Sequence, residues 1–256
     1  MRIVFTLLFS LFLSLPAAHA QEEVVLGFSQ NQVEITTDFD GSEILIFGAV
    51  KRESPLPDGD PLHVLVTLSG PSVPAVVRRK GKRFGIWTNV DSVTVDRAPI
   101  FYAVATSAPF EEMLSLSNDR RYRVSIERAI LSIGAKVAHE QAQDYVEALV
   151  RIRENQAKYA FLENTVQIDQ QTLFRTTIQM PPDLTEGEYT ARILLTRSGK
   201  VIADHDSSID VRKVGLERFL FILSREQPVL YGLLALAIAM ISGWGASAIF
   251  RLLRNR

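Results

Sequence analysis

Apolar and polar residues alternate with a period of two over much of the chain after Val24, the mark of half-buried strands. Val33-Glu34-Ile35-Thr36-Thr37 is the first such run, and Ile44 to Val50 is a second, short enough for a core strand. Leu62 to Leu68 sets Leu62, Val64, Val66 and Leu68 on one face and His63, Leu65 and Thr67 on the other. Ala75 to Val77 and Phe84 to Thr88 predict strands flanking a basic turn, and Ile100 to Ala105 predicts another. Turn chemistry separates these runs: Asp38-Phe39-Asp40-Gly41, then the proline-rich loop from Glu53 to Pro61.

The period changes after Pro109. Tyr122, Ile126, Ala129, Ile130 and Ile133 recur at helical spacing, with Gly134 as the predicted break. Val137, Gln141, Tyr145, Ala148, Leu149 and Ile152 mark a second helical face. Strands resume at Thr172 to Met180 and Glu188 to Thr196. In the latter, Tyr189, Ala191, Ile193 and Leu195 alternate against Thr190, Arg192 and Leu194. Ser198-Gly199-Lys200 turns the chain into a last strand, Val201 to Val211.

Strands at this spacing predict a mainly β fold, an immunoglobulin-like β-sandwich with a helical insertion at about 110–160. Residues 170–212 are few for a core of their own. One composite sandwich over residues 21–215 is therefore preferred, with early strands from 24–90 and the last three from 170–212. Two small domains are the alternative.

Both ends of the chain are apolar. Pro228 to Phe250 holds no charged residue, and its 23 positions suffice to cross a ~30 Å hydrocarbon core. Residues 1–20 have the layout of a cleaved signal peptide: Arg2, an apolar run from Ile3 to Leu15, and Ala18-His19-Ala20 as the cleavage site. Arg251, Arg254 and Arg256 follow the span, and positive residues mark the cytoplasmic side. The predicted topology is single-pass, with 21–215 outside and 251–256 inside. Between them, residues 216–227 form an amphipathic juxtamembrane segment, lying either in the outer interface or against the sandwich.

Composition narrows the chemistry. The 256 residues carry 28 Lys+Arg against 29 Asp+Glu, a net charge of −1, which gives no pull toward nucleic acid. Cysteine is absent, which removes disulfides, thiolate metal sites and a cysteine nucleophile. Outside the leader, the histidines are His63, His139 and His205, far apart in sequence, so Asp204-His205-Asp206 predicts no metal site. Residues 38–43 lack the further ligands of a calcium loop, and no cofactor-binding motif occurs.

Two constellations remain. Arg78, Arg79, Lys80, Lys82 and Arg83 are five cations within six residues, able to bind an anion or a lipid headgroup. The plainer alternative is a solvated hairpin turn cornered by Gly81, with Trp87 behind it in the core. Ala235, Ala239, Gly243 and Ser247 recur every four residues in the apolar span, where small side chains let helices approach closely. The predicted partners are membrane lipid and another transmembrane helix, from a second copy or a permease.

Several stretches resemble a family of alphaproteobacterial transmembrane proteins. They are VVRRKGKRFGIWTNVDSV (76–93), APIFYAVATSAP (98–109), LFRTTIQMPPDLTEGEYT (173–190), LERFLF after Arg212-Lys213-Val214-Gly215, PVLYGLLAL (228–236) and GWGASAIFR (243–251). The resemblance implies a signal peptide, an outer-facing domain and one anchor in the cell envelope, hence the inner membrane and a periplasmic domain. It also points to a neighbouring permease of the sulfite-exporter type, and it brings no catalytic residues with it. The resulting expectation is a non-enzymatic binding or scaffolding protein, an accessory subunit of a membrane transport complex. An envelope enzyme with its site on the sandwich loops, or a structural assembly factor, is the alternative.

Overall fold

A computed structural model describes residues 23–30, 32–35, 40–52, 61–133, 139–214 and 216–254. The predicted signal peptide, most of the 53–61 loop, Gly134, part of the Asp38–Gly41 turn and Arg256 lie outside these residues.

Within them the chain is mainly β. Four strands form a first sheet in the order β1 (Glu23–Phe28), β3 (Ser42–Lys51), β11 (Leu173–Met180), β10 (Gln167–Asp169), all antiparallel. The second sheet has six strands. Its order is β2 (Gln32–Ile35), β13 (Lys200–Lys213), β12 (Gly187–Arg197), β4 (His63–Ser69), β7 (Tyr102–Thr106), β9 (Tyr159–Leu162). Its two edge pairings, β2 with β13 and β7 with β9, are parallel. β5 (Ser72–Arg83), β6 (Ile86–Pro99) and β8 (Leu131–Ile133) make a third sheet.

Two cores explain the arrangement. Ile44, Ile46, Phe174 and Ile178 of the first sheet share a core with Val64, Val66, Ala191, Ile193 and Leu195 of the second. On the far side of the second sheet, Leu65, Val104 and Leu194 pack with Val77, Val93 and Val95 of the third. Met113, Val124, Tyr145 and Leu149 close this second core from helices and loops. Alternation therefore reads correctly along β12. On β4 the other face, that of His63, Leu65 and Thr67, is also largely buried: Leu65 is fully enclosed and Thr67 nearly so. A strand between two layers buries both faces, which alternation alone does not reveal.

β3 shows why its partners fit. A Cβ on Gly48 would lie 2.6 Å from Phe174 Cζ and 2.7 Å from the Val25 carbonyl, so the aromatic ring packs directly on the strand backbone.

The helical stretch differs from its prediction. Tyr122 to Ile133 is not one helix but the end of α2 (Leu116–Tyr122), a left-handed residue at Arg123 (φ 53°), α3 (Ile126–Ala129) and β8. α1 (Phe110–Met113) precedes them. Asp119 imposes the break. Its buried carboxylate accepts from the Val124 and Ser125 amides (3.2 and 2.8 Å), the Ser125 hydroxyl (2.9 Å) and Arg128 Nε (2.8 Å). Local side-chain bonds to the backbone compete with helix continuation. The second predicted helix is present as α4 (His139–Asn155).

After β13 come α5 (Leu216–Glu226) and α6 (Pro228–Arg254). The hydrogen-bond ladder runs through the joint: Gln227 N–H donates to Leu223, and Tyr231 N–H donates to Gln227. α6 is long and apolar enough to cross a membrane over Pro228–Ser247, and none of that stretch is covered by the rest of the chain. Its 27 residues reach about 40 Å.

Candidate functional site

β5 and β6 pair from Ser72↔Pro99 to Arg83↔Ile86. Phe84 (φ 50°) and Gly85 (φ 81°) make the corner, the two positive-φ residues that a tight hairpin turn requires. The predicted corner at Gly81 is thus displaced by four residues. Gly81 lies within β5, where an added Cβ would meet Val90 at 2.8 Å. Trp87 is corrected as well. It is 67% exposed rather than in the core, because the hairpin runs on past Val77 and Val93, its last buried residues.

The five cations of β5 are divided by this geometry. Arg78, Arg79 and Lys80 line a shallow cleft of about 330 Å³ against α4, with Asp91, Asp144, Tyr145 and Arg151. Arg79 stands 3.7 Å from the Asp91 carboxylate, and the Tyr145 hydroxyl donates to the same group at 2.6 Å. That hydroxyl, the Ser92 amide and the Arg79 charge hold the Asp91 carboxyl below the usual carboxylate range. Lys82 and Arg83 lie beyond, on the free end of the hairpin.

A larger cleft, about 760 Å³ and polar, opens beside the second sheet. Thr67 of β4, Thr190 and Arg192 of β12, and Asp204 and Asp206 of β13 line it. Arg97 of β6 and Arg121 to Arg123 at the end of α2 form its other walls. Arg192 ties three of these elements together. Its Nε donates to Asp206 at 3.0 Å, and its terminal nitrogen donates to the Tyr122 carbonyl at 3.0 Å. The Arg121 guanidinium lies over the Tyr122 ring, 5.6 Å from its centre. Tyr102 is held in the wall: its hydroxyl donates to the Val124 carbonyl at 2.8 Å, and burial pushes its pKa far up, so it remains neutral.

The sequence did not single this cleft out, because its residues come from eight separate elements, spread from β4 to β13. One signal was present. Alternation places Asp204 and Asp206 on the face of β13 that carries their partners Leu194 and Arg192, and His205 on the opposite face. The same alternation keeps the triplet from converging on one metal ion. Among the described residues no group of three or more metal-ligating side chains occurs.

On α6, Ala235, Ala239, Gly243 and Ser247 are exposed, and a Cβ at Gly243 would meet nothing within 4 Å. Leu233, Leu236, Ile238, Met240, Ile241 and Trp244 are exposed too. A helix apolar all round and unburied over Pro228–Ser247 suits lipid as its solvent.

No curated protein is significantly similar to the chain. Residues 23–252 match one family model, spanning the three sheets and nearly all of α6. The chain is a membrane protein with one candidate transmembrane helix among its described residues, α6, and it belongs to the family described as "Putative transmembrane protein (Alph_Pro_TM)".

Proposed function

We propose that the chain is a single-pass inner-membrane protein whose β domain faces the periplasm and works as a binding or scaffolding subunit of a membrane complex. The observation that carries this reading is the open polar cleft beside the second sheet, held in shape by Arg192. Its hydroxyls and its charges of both signs suit a polar segment of a partner protein. Arg97, Arg121 and Arg123 line the cleft together with Glu188 and Asp204, and ion pairs to a partner there give specificity and orientation more than raw affinity. The bare α6 supplies the second contact. Its small residues from Ala235 to Ser247 let a neighbouring helix, from a second copy or a permease, approach closely.

The test is purification of the full chain from native membranes, in wild-type form and as Arg121→Glu and Gly243→Ile variants. A partner is expected at fixed stoichiometry with the wild type and reduced with each variant. Wild-type protein that elutes alone, or a partner retained equally by all three, would refute the proposal.

A further inference from the structure

The free end of the β5–β6 hairpin has no part in either cleft wall beyond Lys80. From Val77, the last buried residue of β5, seven residues lead to Phe84, about 23 Å along an extended strand. At that end Phe84 is wholly exposed, Ile86 is 68% exposed and Trp87 is 67% exposed. Large apolar side chains grouped on a projecting tip mark an interaction site.

The charge around them is one-sided. Arg78, Arg79, Lys80, Lys82 and Arg83 precede the tip, and Asp91 is the one carboxylate between residues 78 and 91. Lys82 is paired with Trp87 and Arg83 with Ile86, so both faces of the ribbon set a cation beside an apolar side chain. A protein groove would be met by one face. A wedge alike on both faces fits a medium that surrounds it.

We infer that this tip docks into the surface of an anionic lipid bilayer. Phe84, Ile86 and Trp87 enter the boundary between headgroups and acyl chains, where indole rings reside preferentially. Lys82 and Arg83 extend their stems along the apolar layer and place their charges at the phosphates. Lys80, about 7 Å back along the strand from Lys82, adds attraction from within a Debye length of the surface. The chain is already attached to a membrane through α6, which raises the effective concentration of bilayer around the domain.

The protein has two tryptophans, Trp87 and Trp244, so Trp244→Phe leaves Trp87 as the sole reporter. The full chain with that substitution would be placed in nanodiscs of phosphatidylcholine alone or mixed with phosphatidylglycerol, with brominated acyl chains as quencher. Matching vesicles added from outside would test a second bilayer. The expected result is blue-shifted, bromine-quenched Trp87 emission with anionic lipid in either format, reversed by high salt. Lys82→Glu combined with Arg83→Glu should weaken it at least about tenfold while leaving the thermal melt unchanged. Emission from Trp87 that stays water-like and unquenched in every lipid would overturn the inference. So would shielding seen only in native membranes, which would assign the tip to a protein partner.

Discussion

Removing the Asp119 carboxylate should loosen one whole wall of the large cleft. Asp119→Ala leaves the Val124 and Ser125 amides without their acceptor, and Val124 is almost wholly buried. Each buried donor left unpaired costs about 1–3 kcal/mol. The Ser125 hydroxyl and Arg128, about one-third exposed, can turn to water, so their loss costs less. The total is about 3–5 kcal/mol, in line with breaking a buried charged pair from one side. At roughly 2–4 °C per kcal/mol for a domain of this size, the melt should fall by about 10 °C. Asp119→Asn keeps one oxygen for the two amides and should fall about halfway. The same change frees Arg123 from its left-handed conformation and moves the Tyr122 carbonyl off Arg192. Circular dichroism melts of the full chain in detergent check the ordering. An Asp119→Ala protein melting within about 2 °C of the wild type, or an Asn variant as damaged as the Ala one, would refute the reasoning.

Two further outcomes test the packing and the electrostatics. Gly48→Val drives a branched side chain into Phe174 and the Val25 carbonyl, and should cost about 1–3 kcal/mol, read from the same melts. The Asp91 carboxyl titrates below its ordinary 3.8, chiefly because the Tyr145 hydroxyl donates to it; its contribution is therefore present above pH 3.8 and lost as pH falls through the lowered value. Tyr145→Phe should raise the Asp91 midpoint toward 3.8 in a carbon NMR titration, and an unmoved midpoint would show that the hydrogen bond does not set it.

The strands of the main core were legible because period-two alternation reports burial directly: Tyr189, Ala191, Ile193 and Leu195 of β12 all face inward as read. The apolar span was legible from length and charge alone. The corner of the β5–β6 ribbon is not legible, because cations and aromatics interleave on both its faces and leave no pattern to count, and glycines at 81 and 85 both suit a turn. The break after Tyr122 was missed because it depends on what the Asp119 carboxylate reaches, and hydrogen bonds of that kind leave the apolar spacing untouched. The cleft was hidden for a related reason. Arg192, Asp206 and Tyr122 are brought together by strand pairing and by the left-handed turn at Arg123, not by nearness in sequence.

The strand order has a consequence for how the chain is made. β4 finds its neighbour β12 through pairs such as His63↔Thr196, about 130 residues apart, and β3 waits for β11 across a similar distance. Synthesis at about 5–20 residues per second delays those partners by roughly 7–26 s. During that interval Ile44, Ile46, Val64 and Val66 are without the strands that cover them, while the β5–β6 ribbon can close on its own within microseconds. Contacts of such long range also make folding intrinsically slow. The apolar α6 is made after β12 and β13. Newly made chains therefore pass through a stage in which β4 can pair with β7 but has no β12 on its other edge, so that the central sheet is open along that edge.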